Sequence, residues 1–404
     1  DKQVLARAQI ETVRRIVPLH QELAKRGQIE LTTSPFYHPI LPLLIDTDIA
    51  REAMADVELP KNRFRAPEEA ENQIEQAQKY FAEKVGTKLS GMWPSEGSLS
   101  ADTLALIWEK GFVWTASDES VLANSLAGKT IPAGKKQIRP EHARFFPWRF
   151  DTANGEIVIF FRDHGLSDDI GFTYQNWNTD DACNHFLHNI LHIRSELIAV
   201  YGEEIMETAC ISVILDGENC WEYYPNNGLE FLDKFYSMLT TTPEIRPVMF
   251  SEMLAGTKRE NLPKLPHFVA GSWINANFGI WIGHPEDNAS WDALFAAHSA
   301  VENERANAEK LNGANRAEAL ARIEQARSKL MIAEGSDWCW WYGDEHFSAQ
   351  KDLFDELYRM HLREVYRAID LAIPEDLSIP IAGRFSKSAP AAKYGAMHPV
   401  ETVA

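Results

Sequence analysis

The chain has 404 residues, of which 40 are Lys or Arg and 59 are Asp or Glu, which gives a net charge of −19. This acidic balance argues against a nucleic-acid backbone or an anionic membrane as partner. It suits a neutral substrate bound by hydrogen bonds and stacking, for which 12 Trp and 11 Tyr could supply flat platforms.

The four cysteines, Cys183, Cys210, Cys220 and Cys339, show neither Cys-x-x-Cys pairing nor zinc spacing. We therefore expect no disulfide framework, no metal site and no cofactor. The sequence contains no signal peptide and no apolar run long enough to cross a membrane, which predicts a cytoplasmic protein.

Apolar periodicity predicts a helix over residues 4–26, divided by Pro18 and ended by Gly27. Strands are predicted at residues 28–33, 89–93, 111–115, 157–161, 211–215 and 246–250. Helices are predicted between them at residues 67–85, 98–110, 180–201 and 228–239, and residues 120–149 are predicted to be an irregular excursion. Such alternation indicates βαβ units and a parallel sheet or barrel.

The remainder of the chain is predicted to be helical, over residues 291–306, 315–333 and 346–371. This division predicts a catalytic barrel over residues 1–270 and a helical region over residues 271–373. Residues 374–404 are predicted to form a tail with an edge strand and a linker. The roughly six convincing strands are fewer than the eight of a complete barrel, and a chain that begins in a helix indicates that a first strand is absent.

Acidic residues occur at or near most of the predicted strands, and parallel strands would gather them at one edge. They are Glu30, Glu96, Asp118 with Glu119, Asp163 with His164, Asp216 with Glu218, and Glu252. Helix capping explains some of them, but not the tryptophans that accompany them at positions 93, 114 and 221. Enzymes that cleave glycosidic bonds use two carboxylates, and flanking aromatic rings can stack on the sugar.

Four segments strongly resemble glycoside hydrolase family 57: QIELTTSPFYHPILP at 28–42, GMWPSEGS at 91–98, LDGENCWE at 215–222 and SDWCWWYGD at 336–344. The resemblance implies an α/β fold, namely an incomplete (β/α)7 barrel followed by a helical region. It also implies action on α-glucans with retention of configuration, as in amylases, amylopullulanases, 4-α-glucanotransferases and branching enzymes. The family's first motif, His-Gln-Pro on the first barrel strand, does not occur in this sequence, so we expect a barrel without that strand.

Carried over position by position, the resemblance makes Glu96 the nucleophile and Asp216 the general acid/base. Retention implies that their carboxyl groups lie about 5 to 5.5 Å apart. The positions that match the sugar subsite next to the scissile bond are Trp93, Glu218, Asp337 and Trp340, and Glu30 matches a further motif acid. Glu218 would raise the pKa of Asp216 by repulsion between like charges.

Four further residues are candidates for substrate binding: His38, His164, Trp221 and Trp273. Each has a structural alternative, because a histidine between prolines can simply be packed and a tryptophan can close the core. The Arg162-Asp163-His164 run either binds substrate or forms a structural ion pair. Asp118 and Glu119 are better explained as helix caps.

The sequence therefore predicts a retaining enzyme that hydrolyses α-glucans such as starch, glycogen or maltooligosaccharides. A 4-α-glucanotransferase or branching enzyme would use the same two carboxylates, and a catalytically impaired glucan-binding protein would bind without turnover. A metal-dependent carbohydrate enzyme is the weakest alternative, since only His38 and the Asp163-His164 pair offer ligands.

Overall fold

A computed structural model describes residues 2–134, 136–217, 220–346 and 348–385. Its α-helices are α1 (Lys2–Arg14), α2 (Ile16–Lys25), α3 (Leu41–Ile45), α4 (Ala50–Ala53), α5 (Pro67–Lys84), α6 (Ala101–Glu109), α7 (Glu119–Leu126), α8 (His164–Asp168), α9 (Thr179–Tyr201), α10 (Leu229–Thr241), α11 (Phe250–Gly256), α12 (Pro285–Glu309), α13 (Gly313–Ala333), α14 (Asp337–Trp340) and α15 (Lys351–Ala368). Its strands are β1 (Gly91–Met92), β2 (Trp114–Asp118), β3 (Ile131–Ala133), β4 (Lys136–Ile138), β5 (Trp148–Asp151) and β6 (Glu156–Arg162). Among these helices, none is both long and apolar enough to span a membrane.

Four strands form one mixed sheet in the order β1-β2-β6-β5. The first three are parallel, and β5 is antiparallel to β6. Single parallel bridges extend the sheet on both sides, from Thr33 to Met92 and from Arg162 to Ser212. The α/β class predicted from the sequence is confirmed. One residue of each predicted strand segment 28–33 and 211–215, namely Thr33 and Ser212, bridges to the sheet.

Strand β6 is buried on both faces, which its uninterrupted apolar sequence explains. Val158 and Phe160 face a small cluster with Trp114 and Ala116 of β2. The alternate residues of β6 are Ile157, Ile159 and Phe161, and they face the main hydrophobic core. This core also contains side chains of the helices that cover the sheet. The sheet is therefore a rigid layer whose carboxyl end can position polar side chains.

The strand predicted at residues 246–250 is wrong. Pro247 removes a backbone donor from its second position, and Phe250 instead begins α11. The Phe250 ring stacks on Phe160 with 4.1 Å between centroids and meets Trp114 edge-on at 4.7 Å. Helix α11 thus covers the small cluster on one face of the sheet.

The segment at residues 211–215 is extended, but its single ladder contact is the bridge at Ser212. Strand β5 pairs with β6 from Glu156 to Ile159, so only the carboxyl end of β6 remains for this segment. Residues 28–33 likewise form no strand, because Gln28 is a bend and the segment pairs with the sheet only at Thr33. Both segments were predicted as strands, and each instead makes a single isolated bridge to the sheet.

Residues 120–149, predicted to be irregular, contain helix α7, the β3-β4 hairpin and the start of β5. Asp118 begins α7 by accepting a hydrogen bond from the Ser120 N–H at 2.9 Å. The first predicted helix divides at Arg15 into α1 and α2. Pro18 lies in the first turn of α2, where its missing N–H costs no intrahelical hydrogen bond.

The helical second half of the chain is confirmed, with α12, α13 and α15 packed on one another. The main core contains residues from both sides of position 270, so the domain boundary there stays a prediction. The edge strand predicted after residue 374 is wrong for the described part: Glu375–Ser378 is a 3-10 turn. The Leu377 carbonyl of this turn accepts a hydrogen bond from the buried Arg359 of α15 at 3.1 Å. Residues 386–404 lie outside the described ranges.

Glu30 joins three elements, because its carboxylate accepts hydrogen bonds from the Trp114 indole at 3.1 Å and the Ser251 N–H at 3.0 Å. We predict that Glu30→Ala lowers the free energy of unfolding by about 1–3 kcal/mol, since it leaves the buried Trp114 donor unpaired. Urea unfolding followed by circular dichroism measures this. Glu260→Ala, at an exposed glutamate, is the control, and equal midpoints for the two variants would contradict the structural role of Glu30.

Candidate active site

The loop after β1 holds Glu96 in a left-handed backbone conformation, with φ 56° and ψ 24°. A residue with a side chain adopts this conformation at an energetic cost, and such strain is concentrated at functional sites. Gly97 follows with φ 59°, and a Cβ there would lie 2.8 Å from the Trp93 ring. Ser117 of β2 donates a hydrogen bond to the Gly97 carbonyl at 2.6 Å, which fastens the loop to the sheet.

Trp273 binds the Glu96 residue twice. Its indole Nε1 donates to Glu96 Oε2 at 2.6 Å, and its backbone N–H donates to the Glu96 carbonyl at 2.9 Å. The Trp273 ring lies at 64° to Trp93, with 5.2 Å between centroids. Backbone hydrogen bonds between Leu99 and Gly271, at 2.9 and 3.0 Å, bring this segment to the loop. Three of the predicted site residues are therefore in direct contact.

Asp216 ends the extended segment that runs beside the carboxyl end of β6. The Asp163 N–H donates to the Ser212 carbonyl at 2.8 Å, which fixes the register of this segment. Glu96 follows β1 at the same end of the parallel strands. The two predicted catalytic acids thus both follow elements at the carboxyl end of the sheet, with β2 and β6 between those elements, and Asp216 is half-buried.

Arg162, the last residue of β6, contacts the supports of both acids. Its Nε donates to the Ile214 carbonyl at 2.8 Å, and its guanidinium carbon lies 5.5 Å from the Trp273 ring centroid. It also donates to Asp118 at 3.4 Å and forms a short hydrogen bond to Asp168. The predicted ion pair at Arg162 is present, with these partners instead of Asp163.

His164 lies between the same two carboxylates. Its Nδ1 is 3.5 Å from Asp118 Oδ2 and its Nε2 is 2.8 Å from Asp168 Oδ2. The hydrogen bonds to Asp118 and Asp168 raise the pKa of His164 to about 10. Burial disfavours the charge of Asp168, but the hydrogen bond from His164 and the charge of Arg162 lower its pKa overall. The carboxyl end of the sheet therefore carries two cations, Arg162 and His164, in contact with two carboxylates, Asp118 and Asp168.

A second ionic cluster was not predicted from the sequence. Arg144 Nε lies 2.8 Å from both Glu119 Oε2 and Asp163 Oδ2, and burial raises the pKa of Glu119 to about 7. Asp163 also begins α8 by accepting the Leu166 N–H at 2.8 Å. The cluster was missed because Arg144 lies in the stretch interpreted as irregular. No local signal marked it, because Arg144 is 19 positions from Asp163 in the sequence and further still from Glu119.

His38 and the 336–340 segment are held together, as expected if both border one site. His38 Nδ1 lies 2.8 Å from the Ser336 hydroxyl, and the Ser336 N–H donates to the His38 carbonyl at 2.9 Å. Asp337 is exposed. Trp340 stacks on His346 with 4.1 Å between ring centroids. These contacts leave the substrate-binding roles of His38, Asp337 and Trp340 as predictions.

Two other predicted residues have structural contacts away from Glu96. Glu30 binds the first residue of β2, Trp114, whereas Glu96 follows the end of β1. Trp221 packs on Tyr224 with 5.5 Å between centroids and belongs to the cluster between α9 and α10. The roles of Glu30 and Trp221 in binding stay predictions, and Glu218 lies outside the described residues.

A cavity of about 940 Å³ lies between α9, α10 and the segment that leads to Asp216. Leu215 and Trp221 line it together with many apolar side chains, and neither Glu96 nor Trp93 is among its described lining residues. An apolar lining offers few partners for sugar hydroxyls. The cavity therefore lies beside the segment that leads to Asp216, and its described lining does not include the loop around Glu96.

The described residues contain one group with the proximity that a metal ion requires, formed by Glu69, His298 and Glu302, whose ligand atoms lie within 4.8 Å of one another. It is located on α5 and α12, not at the sheet edge. Arg327 already donates two hydrogen bonds to Glu69 Oε1, at 2.8 and 3.2 Å. One carboxylate oxygen of Glu69 therefore already accepts two hydrogen bonds from a guanidinium.

Known proteins resemble this chain in sequence and in fold. The sequence model of Glycosyl hydrolase family 57 matches residues 2–266. An α-amylase from Pyrococcus horikoshii is 23% identical over 269 residues, which are 64% of this chain and 34% of that protein. The chain thus spans about a third of the length of this relative.

Solved structures with a similar fold include a family 57 branching enzyme from Thermococcus kodakaraensis, with a TM-score of 0.64 and 16% identity over 87% of this chain and 68% of that one. A 4-α-glucanotransferase from Thermococcus litoralis has a TM-score of 0.58 and 18% identity over 88% of this chain and 51% of that one. At these identities the likeness concerns the fold alone. The family match over residues 2–266 shows that the chain belongs to glycosyl hydrolase family 57.

Proposed function

We propose that the chain is a retaining glycosidase of the α-amylase or amylopullulanase type, which cleaves starch, glycogen or maltooligosaccharides by double displacement. The observation that carries this proposal is the Glu96 carboxylate, which is held by the Trp273 indole at 2.6 Å in a left-handed loop. A hydrogen bond donated to a carboxylate favours its ionised form, which is the form a nucleophile requires. We also propose that the sheet and its helices form the incomplete (β/α)7 barrel expected from the sequence.

In the first step, an oxygen of Glu96 bonds to the anomeric carbon while the bond from that carbon to the leaving oxygen breaks. Asp216 gives its proton to the leaving oxygen. In the second step, Asp216 takes a proton from a water or sugar hydroxyl, whose oxygen bonds to the anomeric carbon and releases Glu96. Two displacements at one carbon retain its configuration.

The choice between hydrolysis and transfer depends on which acceptor reaches the intermediate first. The fold is shared with a branching enzyme and a 4-α-glucanotransferase, so it favours neither outcome. Hydrolysis and transfer both use the roles proposed for Glu96 and Asp216.

A cytoplasmic location stays a prediction. The four cysteines are free thiols, which agrees with a reducing compartment.

Azide rescue tests the two roles. We predict that Glu96→Ala and Asp216→Ala each reduce kcat on an aryl α-maltooligosaccharide by roughly 100-fold or more. Azide should restore product formation in both variants. It replaces the nucleophile in the first variant and gives an inverted glycosyl azide, whereas it attacks the intermediate in the second and gives a retained one.

Glu260→Ala, at an exposed glutamate, is the control and should keep full activity without azide. Proton NMR of the anomeric hydrogen identifies each product. Full activity in the Glu96→Ala variant would exclude its role as nucleophile. Exchanged azide anomers would mean that the roles of Glu96 and Asp216 are reversed.

The hydrogen bond from Trp273 can be removed while an aromatic ring is kept at this position. We predict that Trp273→Phe lowers kcat by roughly 10- to 100-fold, because a hydrogen bond to a charged group is worth about 1.5–3 kcal/mol. Trp281→Phe is the matched control, since the buried Trp281 Nε1 has no hydrogen-bond partner in the described part of the chain. Steady-state kinetics should show a much smaller loss for Trp281→Phe. Equal losses would mean that the bond to Glu96 is unimportant.

Both ring nitrogens of His164 face carboxylates, so we propose that it supports the site through its charge. Because the folded pKa of about 10 exceeds the ordinary 6.5, its stabilising effect is complete below pH 6.5 and is lost between pH 6.5 and 10. The Tm difference between the wild type and His164→Gln should therefore shrink as pH rises through this window. Calorimetry showing a constant difference would contradict a charged His164.

A further inference from the structure

Arg162 makes one contact that charge pairing does not explain. Its side chain is only 7% exposed, and two of its nitrogens face the carboxylates Asp118 and Asp168. Its Nε is used differently, because it donates at 2.8 Å to an uncharged acceptor, the Ile214 carbonyl. This carbonyl lies two residues before Asp216.

The segment that carries Ile214 needs such support. Its ladder contact with the sheet is the single bridge at Ser212, and the Ile214 N–H donates to the Ser167 hydroxyl at 3.1 Å. Arg162 and Ser167 therefore hold the two backbone groups of one residue, just before the segment turns at Asp216. On its other side, Arg162 faces the ring of Trp273, whose indole binds Glu96.

We propose that Arg162 is a positioning residue for Asp216. By fixing the Ile214 carbonyl, it aims the Asp216 carboxyl at the leaving oxygen, so that proton transfer occurs as the glycosidic bond breaks. This inference rests on the proposed function and adds a residue to it. Misplacement of a proton donor by a fraction of an ångström is costly, because general acid catalysis depends on hydrogen-bond geometry.

The chemistry of the side chain explains why this residue is an arginine. A guanidinium presents donors in a fixed fork and lies flat beside an aromatic ring, whereas a lysine ammonium is a point charge. A lysine at position 162 could neutralise Asp118 and Asp168. It could not also hold the Ile214 carbonyl in the same geometry. Arg162→Lys therefore keeps the charge and removes the positioning.

Two substrates separate positioning of the acid from general damage. A maltooligosaccharide has a poor leaving group that needs a proton, whereas fluoride leaves α-maltosyl fluoride with little help. We expect Arg162→Lys to lower kcat/KM roughly 10- to 100-fold on the maltooligosaccharide and less than about 3-fold on the fluoride. Equal losses on both substrates would overturn the proposal, because a merely structural role affects both alike. No loss on either would overturn it as well.

Ser167→Ala tests the same segment with a milder change, in case Arg162→Lys folds poorly. It removes the other bond to Ile214 and should give the same selective loss, at roughly 3- to 10-fold. Ser125→Ala is the matched control, because its buried hydroxyl also binds backbone, donating to Val121 at 2.9 Å and accepting from Val269 at 3.0 Å. It should leave both substrates unchanged. A selective loss in Ser125→Ala, or none in Ser167→Ala, would count against the proposal.

Asp216→Asn provides the reference for the proposed function itself. It should show the largest selective loss, because it lacks the proton that the maltooligosaccharide needs. If Asp216→Asn loses both substrates equally, the role of Asp216 as acid fails and this inference fails with it. If Asp216→Asn is selective and Arg162→Lys and Ser167→Ala are not, the proposed function stands and only the role of Arg162 is wrong.

Discussion

The hydrogen bond from the Trp273 indole to Glu96, at 2.6 Å, is the contact on which the proposed site depends. Glu96 occupies a left-handed backbone conformation that would relax if its surroundings did not hold it. Trp273 supplies that restraint through both its side chain and its backbone. The first bond holds the carboxylate and the second holds the backbone, so one residue contributes to the position of both parts of Glu96.

A buried ionic network connects this contact to the other acid. Arg162 reaches from the face of Trp273 to the Ile214 carbonyl, and Asp118 and Asp168 balance its charge together with that of His164. Buried ion pairs contribute little net stability on their own. Their value here is geometric, because they fix two loops and one extended segment at a single edge of the sheet.

The sequence predicted the parts of this arrangement that depend on local pattern. The apolar run of β6 identified a strand, and the motif around Glu96 brought Trp93 into the candidate site. Trp273 was a separate candidate, and its contact with Glu96 is a product of the fold. Its errors arose where tertiary contacts decide. Phe250 follows a strand-like run but begins a helix, because Pro247 breaks the ladder and Glu30 binds the Ser251 N–H. The partners of Arg162 could not be predicted, since Asp118, Asp168 and Ile214 are brought to it only by the fold.

The most direct test of the account is covalent trapping of the intermediate. A fluorinated α-glucosyl fluoride that forms the glycosyl-enzyme faster than it is released should label the protein, and mass spectrometry of its peptides locates the label. The account predicts a sugar adduct on Glu96, and no adduct in a Glu96→Gln variant. An adduct on Asp216, or a wild-type enzyme that turns over maltooligosaccharides and is labelled elsewhere, would contradict it.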